Sequence, residues 1–197
     1  MNKSGPAIYS LFFLLLSFGV SNAQATVDGT AVDVFHSSAA QISLLMPGRV
    51  AGEAAAQLQI SCAGLTAAPV SVPILAAGPA LFTVGQNGTG QADAVNQDGS
   101  IGTPSPAGTV IQLYGTGFGA YNQPGPDGLM HLAQTVTATV GGVAAQVLYA
   151  GQAPGYTPGL QQINLVVPAG AVSGATLPLQ LTVGGITTQT GLTVAIQ

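Results

Sequence analysis

Four tyrosines are the residues of this chain best suited to binding a ligand: Tyr114, Tyr121, Tyr149 and Tyr156. An aromatic ring complements the apolar face of a pyranose, so tyrosines on an open surface favour carbohydrate binding. Tyr121 and Tyr156 lie in loops rich in glycine and proline, and they are therefore the predicted ligand-binding residues. The competing interpretation is that the tyrosines pack at the edge of a sheet. The absence of tryptophan from the chain favours that interpretation.

The ionisable residues do not indicate catalysis. Hydrolysis of a glycoside needs two carboxylates about 5 to 10 Å apart, and most of the carboxylates that follow residue 23 lie in predicted turns: Asp28, Asp33, Glu53, Asp93, Asp98 and Asp127. His36, His131 and Cys62 are far apart in sequence, with neither a metal-ligand spacing nor a nucleophile beside a base. A Ser-His-Asp arrangement assembled by the fold stays open. We predict a protein that is not an enzyme, with no catalytic residue, no metal site and no cofactor.

Two glycine-containing motifs have the composition of ligand loops. Residues 115–119, GTGFG, are similar to a phosphate-binding loop, but such loops open a helix, and here Pro124 and Pro126 follow. We predict a turn at the end of a strand. Residues 96–99, NQDG, suggest a calcium loop together with Asp93, but the spacing of the acidic residues does not match one. An ordinary turn is predicted there.

Charge is scarce in this chain. Only 4% of the residues are Asp, Glu, Lys or Arg, against about 25% in an average protein. Binding to nucleic acid is not expected, because it needs clustered Lys and Arg. A surface covered by uncharged polar residues repels other surfaces little, so we expect a protein or cell-envelope partner, with polysaccharide as the alternative.

The amino terminus has the pattern of a secretory signal peptide. Lys3 precedes an apolar run over residues 11–16, and the small-residue pattern SNA follows at 21–23. Cleavage is expected after Ala23 or Ala25. The apolar core is shorter than the roughly 20 residues that span a bilayer. We therefore expect an extracellular or envelope location, no membrane span after cleavage, and a mature chain whose only Lys or Arg is Arg49, with a net charge of −5.

The chain repeats part of itself. Residues 41–47, QISLLMP, return as 162–168, QINLVVP, and residues 58–65, LQISCAGL, return as 179–186, LQLTVGGI. This self-similarity predicts one complete module and a partial copy that lacks its opening strands. The predicted organisation is a signal peptide over 1–23, a partial module over 24–80, a connecting hairpin or linker over 81–107 and a complete module over 108–197. Cys62 corresponds to Val183, so we predict a small buried hydrophobic residue there.

Alternating apolar and polar residues predict short, half-buried strands separated by glycine and proline, as in an antiparallel β-sandwich. In the first copy, the positions predicted to face inward are Ile42, Leu44, Met46, Leu58, Ile60, Cys62, Val70, Val72 and Ile74. Residues 51–57 are rich in alanine and predict one or two helical turns at most. Residues 91–95 are predicted to form a strand and residues 96–99 the turn that follows it.

Several motifs in fixed order resemble a known family: GTVIQLYGTGFG at 108–119, VGGVAAQVLY at 140–149, GTGQA at 88–92, NQDGS at 96–100 and YAGQAPG at 149–155. They are similar to the IPT/TIG type of immunoglobulin-like domain. They resemble more closely the uncharacterised carboxy-terminal domain family of secreted Solibacter-like Acidobacteria proteins. The resemblance covers about residues 41–197 and implies an immunoglobulin-like sandwich on an exported protein. It implies no activity.

Together these observations predict an all-β, immunoglobulin-like antiparallel β-sandwich that acts as a secreted, non-enzymatic structural or interaction module at the cell surface. The alternative function is a carbohydrate-binding accessory module. Two explanations of the partial first copy stay open. Either the gene is shortened, or the missing strands leave a sheet edge that another chain completes, and a strictly monomeric mature protein would contradict the second explanation.

Overall fold

The computed structural model describes residues 11–14, 23–38 and 41–197. The predicted signal peptide, residues 1–23, lies outside the described residues except for 11–14 and Ala23. The chain divides into two compact units, Met1–Ala76 and Ala77–Gln197. The predicted all-β class is confirmed, because the described residues form strands in mainly antiparallel sheets with one short 3-10 helix. Within those residues, no helix is long and apolar enough to cross a membrane.

The first unit contains two antiparallel sheets. Its strands are β1 (Leu11–Leu14), β2 (Gln24–Val27), β3 (Thr30–Val32), β4 (Val34–Ser37), β5 (Ile42–Leu45), β6 (Ala55–Cys62), β7 (Leu65–Thr66) and β8 (Val70–Pro73). One sheet has the order β1-β5-β4, and the other has the order β3-β2-β6-β7, with β8 also paired to β6. The 3-10 helix, Gly48–Val50, follows β5.

The core of the first unit is made mainly by alternate residues of these strands, with Ala23, Met46 and Val50 added from outside them. Its buried members are Ala23, Ala25, Val27, Ile42, Leu44, Met46, Val50, Ala56, Leu58, Ile60 and Val72. Cys62 and Ile74 pack against this cluster but are only partly buried. The prediction for Val70 was wrong, since its side chain is 48% exposed. Its counterpart in the repeat, Leu192, is buried and has a second strand paired beside it.

The helical turns predicted over residues 51–57 are not formed. Ala55 already belongs to β6, and the buried Ala56 continues the alternation of Leu58 and Ile60 along that strand. Alanine favours helix only weakly, and packing of one strand face overrides such a preference. The 3-10 helix lies just upstream, at Gly48–Val50.

The second unit also contains two sheets. Its strands are β9 (Ala80–Leu81), β10 (Gly90–Gln91), β11 (Ala94–Asn96), β12 (Val110–Thr116), β13 (Val136–Val140), β14 (Val143–Ala145), β15 (Val147–Gln152), β16 (Gln161–Val166), β17 (Gly174–Val183), β18 (Ile186–Thr187) and β19 (Leu192–Ile196). The first sheet has the order β10-β19-β17-β13-β14, with β18 on β17. The second has the order β11-β12-β16-β15, with β9 on β12. The β10–β19 pair is parallel.

Both sheets of the second unit bury every other side chain. In β12 and β16 the buried aliphatic residues of this alternation are Ile111, Leu113, Ile163 and Leu165. The strand ends at Gly115, Thr116, Gln161 and Gln162 are buried as well. In the other sheet they include Val140, Leu181, Val183 and Val194. Burying each of these side chains contributes about 1.5 to 3 kcal/mol, so the period-two pattern of the sequence is also the pattern of the core.

Residues 81–107 are hydrogen-bonded into the second unit through β10, β11 and the turn after β11. The strand predicted over 91–95 is divided, because β10 ends at Gln91 and β11 begins at Ala94. The turn predicted over 96–99 is present. Gly99 N–H donates to the Asn96 carbonyl at 2.9 Å, and Asn96 N–H donates to the Ser100 carbonyl at 2.8 Å.

The repeat begins earlier in the first unit than the sequence predicted. The β2–β3 hairpin pairs Ala25 with Val32, and β13–β14 pairs Ala138 with Ala145 in the equivalent register. Strand β4 pairs with β5 in the same register in which β15 pairs with β16, and both pairs have a bulge at the equivalent place. The counterparts of β13 to β19 are therefore nearly complete in the first unit.

Candidate functional site

The two predicted ligand-binding tyrosines lie in different environments. Tyr121 is completely buried, and its hydroxyl donates a hydrogen bond of 2.7 Å to the carbonyl of Pro158. Its ring is a core side chain, so the prediction that it stacks on a sugar is corrected. Glycine and proline around Tyr121 suggested an exposed loop, but that loop folds back and pairs Tyr121 with Leu132.

Tyr156 is exposed, with 63% of its surface accessible. It lies in the loop between β15 and β16, where its N–H donates to the carbonyl of Ala153 at 3.1 Å. The side-chain amide of Gln152 donates to the Tyr156 carbonyl at 3.0 Å. The backbone at Tyr156 is therefore held in place while its ring remains accessible to a ligand.

The register of β12, β16 and β15 places two further tyrosines on one face of the sheet. Ile111 and Leu113 point into the core, so Gln112 and Tyr114 lie on the opposite face of β12. Gln112 pairs with Asn164, and Asn164 pairs in turn with Tyr149.

The next row across the sheet is Tyr114, Gln162 and Gly151. We name this surface the tyrosine-amide face. It comprises Gln112, Tyr114, Tyr149, Gln162 and Asn164 of the sheet, together with Tyr156 in the loop that follows β15.

Gly151 makes room for one of these rings. A Cβ atom at this position would overlap the hydroxyl of Tyr149 and the carbonyl of Met130. Tyr149 and Gly151 are two residues apart on the same side of β15, so the Tyr149 side chain extends over the glycine. The Tyr149 hydroxyl then donates to the carbonyl of Gln152 at 2.6 Å.

Hydrogen bonds within the face fix its polar side chains. The Tyr114 hydroxyl donates to Oε1 of Gln112 at 2.9 Å. Nε2 of Gln162 donates to Oδ1 of Asn164 at 2.7 Å. Gln112 and Asn164 are half-buried, and each uses one of its two polar atoms in this way, so the other atom is left for a ligand. Gln162 is buried, and its role is to hold the Asn164 amide in place.

The surroundings of the face keep the tyrosines protonated. Burial raises the pKa of Tyr114, and the nearby Tyr156 and Asp93 raise it further. Burial also raises the pKa of Tyr149, with a smaller contribution from Asp127. At neutral pH both hydroxyls are therefore hydrogen-bond donors as well as acceptors.

A histidine and an aspartate adjoin the face at Tyr149. Nε2 of His131 lies 2.8 Å from Oδ2 of Asp127, and both side chains are exposed. The rings of His131 and Tyr149 meet edge to face, with centroids 5.3 Å apart. The N–H of Leu129, followed by the His131 ring, lowers the pKa of Asp127. From the sequence, His131 was considered only with His36 and Cys62, although Asp127 four residues earlier was the available signal for this pair.

Asp98 and its loop line a concavity of about 500 Å³ at the turn after β11. Asp98 accepts hydrogen bonds from the N–H and the hydroxyl of Ser100, and these bonds lower its pKa. The side chain of Asn96 donates to Ser100 and Thr103 and accepts from Ser105. These polar groups therefore fold the loop, and the described residues contain no group of three His, Cys, Asp or Glu that would hold a metal ion.

The GTGFG motif contains the end of β12, since Gly115 and Thr116 belong to the strand and residues 117–119 follow it as irregular chain. Phe118 is buried, and its N–H donates to Oε1 of Gln161 at 2.6 Å. Nε2 of the same glutamine donates to the Gly119 carbonyl at 3.2 Å. Gln161 is itself completely buried. The Phe118 N–H, one of the donors that a phosphate would need, is thus engaged by Gln161, a residue to which no role was assigned from the sequence.

No family model matches this chain, and no curated protein is significantly similar to it.

Proposed function

We propose that this protein is an exported, non-enzymatic interaction module of the cell surface and that the tyrosine-amide face is its binding surface. The observation that carries this proposal is the alignment of Gln112, Asn164 and Tyr149 beside Tyr114 and Gln162 across three paired strands. A rigid sheet presents these groups, so little conformational entropy is lost when a partner binds.

The side chains of the face suit recognition without charge. Tyrosine offers a large amphipathic surface and loses little rotamer freedom, which is why it is common in binding surfaces. The half-buried amides of Gln112 and Asn164 both donate and accept hydrogen bonds. The carboxylates beside the face are Asp93, near Tyr114, and Asp127, near Tyr149. A partner rich in hydroxyl or amide groups fits such a surface better than a strongly charged one.

A carbohydrate-binding accessory module is the second candidate function. Tyr114 lies close enough to the exposed Tyr156 for the two to interact electrostatically. Aromatic side chains with amides alongside are suited to a neutral polysaccharide, because the rings cover the sugar faces and the amides bond to the hydroxyls. In this second candidate function, the sugar-binding tyrosines are Tyr114 and Tyr156, whereas the sequence predicted Tyr121 and Tyr156.

A retention assay tests both functions. The purified exported chain is mixed separately with insoluble polysaccharides and with cell envelopes of the source organism, and the bound fraction is measured. Tyr156→Ala should lower retention on the true partner at least about tenfold, as expected for an exposed aromatic residue that contacts the partner. Tyr114→Phe removes only a hydroxyl and should have a smaller effect.

Val172→Ala is the matched control, since Val172 is an exposed apolar residue outside the face, and it should leave retention unchanged. Retention on envelopes alone supports the interaction module, and retention on polysaccharide supports the second candidate. Equal retention of the wild type and Tyr156→Ala on every material would reject the face as the binding surface.

A further inference from the structure

Strand β1 occupies the same position on β5 that β12 occupies on β16. In the first unit Phe12 pairs with Leu44 and Leu14 with Ile42. In the second unit Ile111 pairs with Leu165 and Leu113 with Ile163. Residues 42–45 correspond to 163–166 in the repeat, so the two antiparallel pairs have identical register.

The other side of β5 is also the same in both units. Strand β4 pairs Val34 with Leu44 and His36 with Ser43, with a bulge between the two pairs. Strand β15 pairs Val147 with Leu165 and Tyr149 with Asn164, with the equivalent bulge. The repeat therefore defines β5 as an interior strand that needs a partner on both sides.

The two units differ in where the second partner comes from. Strand β12 is part of the complete module, whereas β1 lies inside the predicted signal peptide, residues 1–23. Cleavage after Ala23 removes β1 and leaves β5 with an open edge next to the buried side chains of Ile42 and Leu44. Unpaired backbone groups on an apolar strand edge are a template for another strand.

We propose that, in the exported chain, the free edge of β5 is a strand-acceptor site. It binds one antiparallel strand of another polypeptide that carries large apolar residues at two alternate positions. The chemistry of this partner follows from the two strands seen in this register. Leu11–Leu14 places Phe12 and Leu14 opposite Leu44 and Ile42, and β12 places Ile111 and Leu113 at the equivalent positions. Main-chain hydrogen bonds supply affinity in such strand addition, and the alternate side chains supply specificity.

This inference rests on the export in the proposed function, so the amino terminus of the exported protein is determined first by mass spectrometry. A terminus at Gln24 or Thr26 is expected. A terminus at Met1 would overturn the inference, because β1 would then remain in place.

The acceptor site is tested on the full chain with a specific protease site introduced between residues 17 and 22. Amide hydrogen exchange at Ile42–Leu45 is measured before cleavage, after removal of the released peptide, and after addition of a synthetic peptide with the sequence of residues 108–118. Exchange should accelerate roughly tenfold or more on cleavage, because an unpaired edge opens readily. The added peptide should return it to the starting rate.

The control peptide has aspartate in place of Ile111 and Leu113 and should not protect the edge. Unchanged exchange after cleavage, or equal protection by the two peptides, would overturn the inference. Protection that rises with protein concentration alone would also overturn it, in favour of a second copy as the occupant.

If the first unit loses its structure on cleavage, exchange at Leu58 and Ile60 of β6 provides the readout. The peptide should restore protection there, and failure to do so would reject the proposal. The retention assay with Tyr156→Ala probes the second unit, so each proposal can fail without the other.

Discussion

Tyr121 was predicted to bind a ligand, but it is a core residue of the second unit. The ring is completely buried and the hydroxyl is bonded to the carbonyl of Pro158. Loop composition predicted exposure, because glycine and proline are common at surfaces. Composition does not show that this loop returns to the edge of the sheet, where Leu132 N–H donates to the Ala150 carbonyl.

Substitution of Tyr121 should therefore lower the free energy of unfolding of the second unit. Tyr121→Ala removes a large buried ring, which costs about 3 to 5 kcal/mol. Tyr121→Phe keeps the ring and loses one hydrogen bond, which costs about 0.5 to 1.5 kcal/mol. Chemical denaturation followed by circular dichroism measures both values. Equal stability of Tyr121→Ala and the wild type would contradict the buried position.

Asp127 should titrate below the ordinary aspartate pKa of about 3.9. The Leu129 N–H and the His131 ring favour its charged form, which lowers the pKa in the folded state. A carboxyl group with a lowered folded pKa contributes stability above the unfolded pKa, and that contribution is lost as the pH falls through the folded pKa. The carboxyl carbon shift in NMR measures this titration. His131→Ala should move the pKa upward but leave it below the ordinary value, because the Leu129 N–H remains.

At the level of elements, the end of β12 depends on close backbone contact. Gly115 belongs to β12, and a Cβ there would overlap the Ala80 carbonyl of β9 and lie 2.6 Å from the ring of Phe118. Strand β9 pairs with β12 at this glycine. Only the absence of a side chain lets the two strands and the buried ring meet.

Gly115→Ala should consequently destabilise the second unit by about 1 to 3 kcal/mol, the usual cost of overpacking. Gly170→Ala is the matched control, since the nearest atom to its added Cβ is a side-chain carbon of Val143 at 3.7 Å. That substitution should change stability by less than about 0.5 kcal/mol. Thermal unfolding of both variants makes the comparison. A Gly115→Ala variant as stable as Gly170→Ala would contradict the contact.

Most elements were predictable from the sequence because burial on one side of a strand leaves a period of two. The β17 run of Leu177, Leu179, Leu181 and Val183 is the clearest case, and all four are buried. The helical expectation for residues 51–57 was wrong because local propensity is weaker than packing.

The counterparts of β13 to β15 in the first unit were missed because their sequences have diverged. They are recognised only by hydrogen-bond register. The tyrosine-amide face was missed for a different reason, since rows across a sheet depend on pairing between strands far apart in the chain.

For the molecule as a whole, the low charge has a consequence for association. The mature chain is expected to carry six carboxylates and the single cation Arg49. Salt screens attraction between exposed charges, with a Debye length of about 10 Å at 0.1 M. The affinity for a partner that is held by aromatic contacts and hydrogen bonds should therefore depend little on the salt concentration.

Retention of the exported chain on its partner should thus change by less than about twofold between roughly 0.05 and 0.5 M sodium chloride. The control is a variant with Val172→Lys and Ile186→Lys, which adds two cations at exposed positions. Its retention on acidic envelopes should fall as salt is raised. A steep loss of wild-type retention with salt would instead identify an ionic partner.

The matching bulges in β4 and β15 bear on the history of the gene. A bulge shifts the register, and a shift of one residue turns every following side chain to the opposite face of a sheet. If the two units had acquired the bulge separately, each would have had to compensate for the reversed orientation of the side chains. Inheritance from one ancestor is simpler, so the bulge predates the duplication that produced the two units. Related chains should therefore retain it even where the sequence of this strand has diverged beyond recognition.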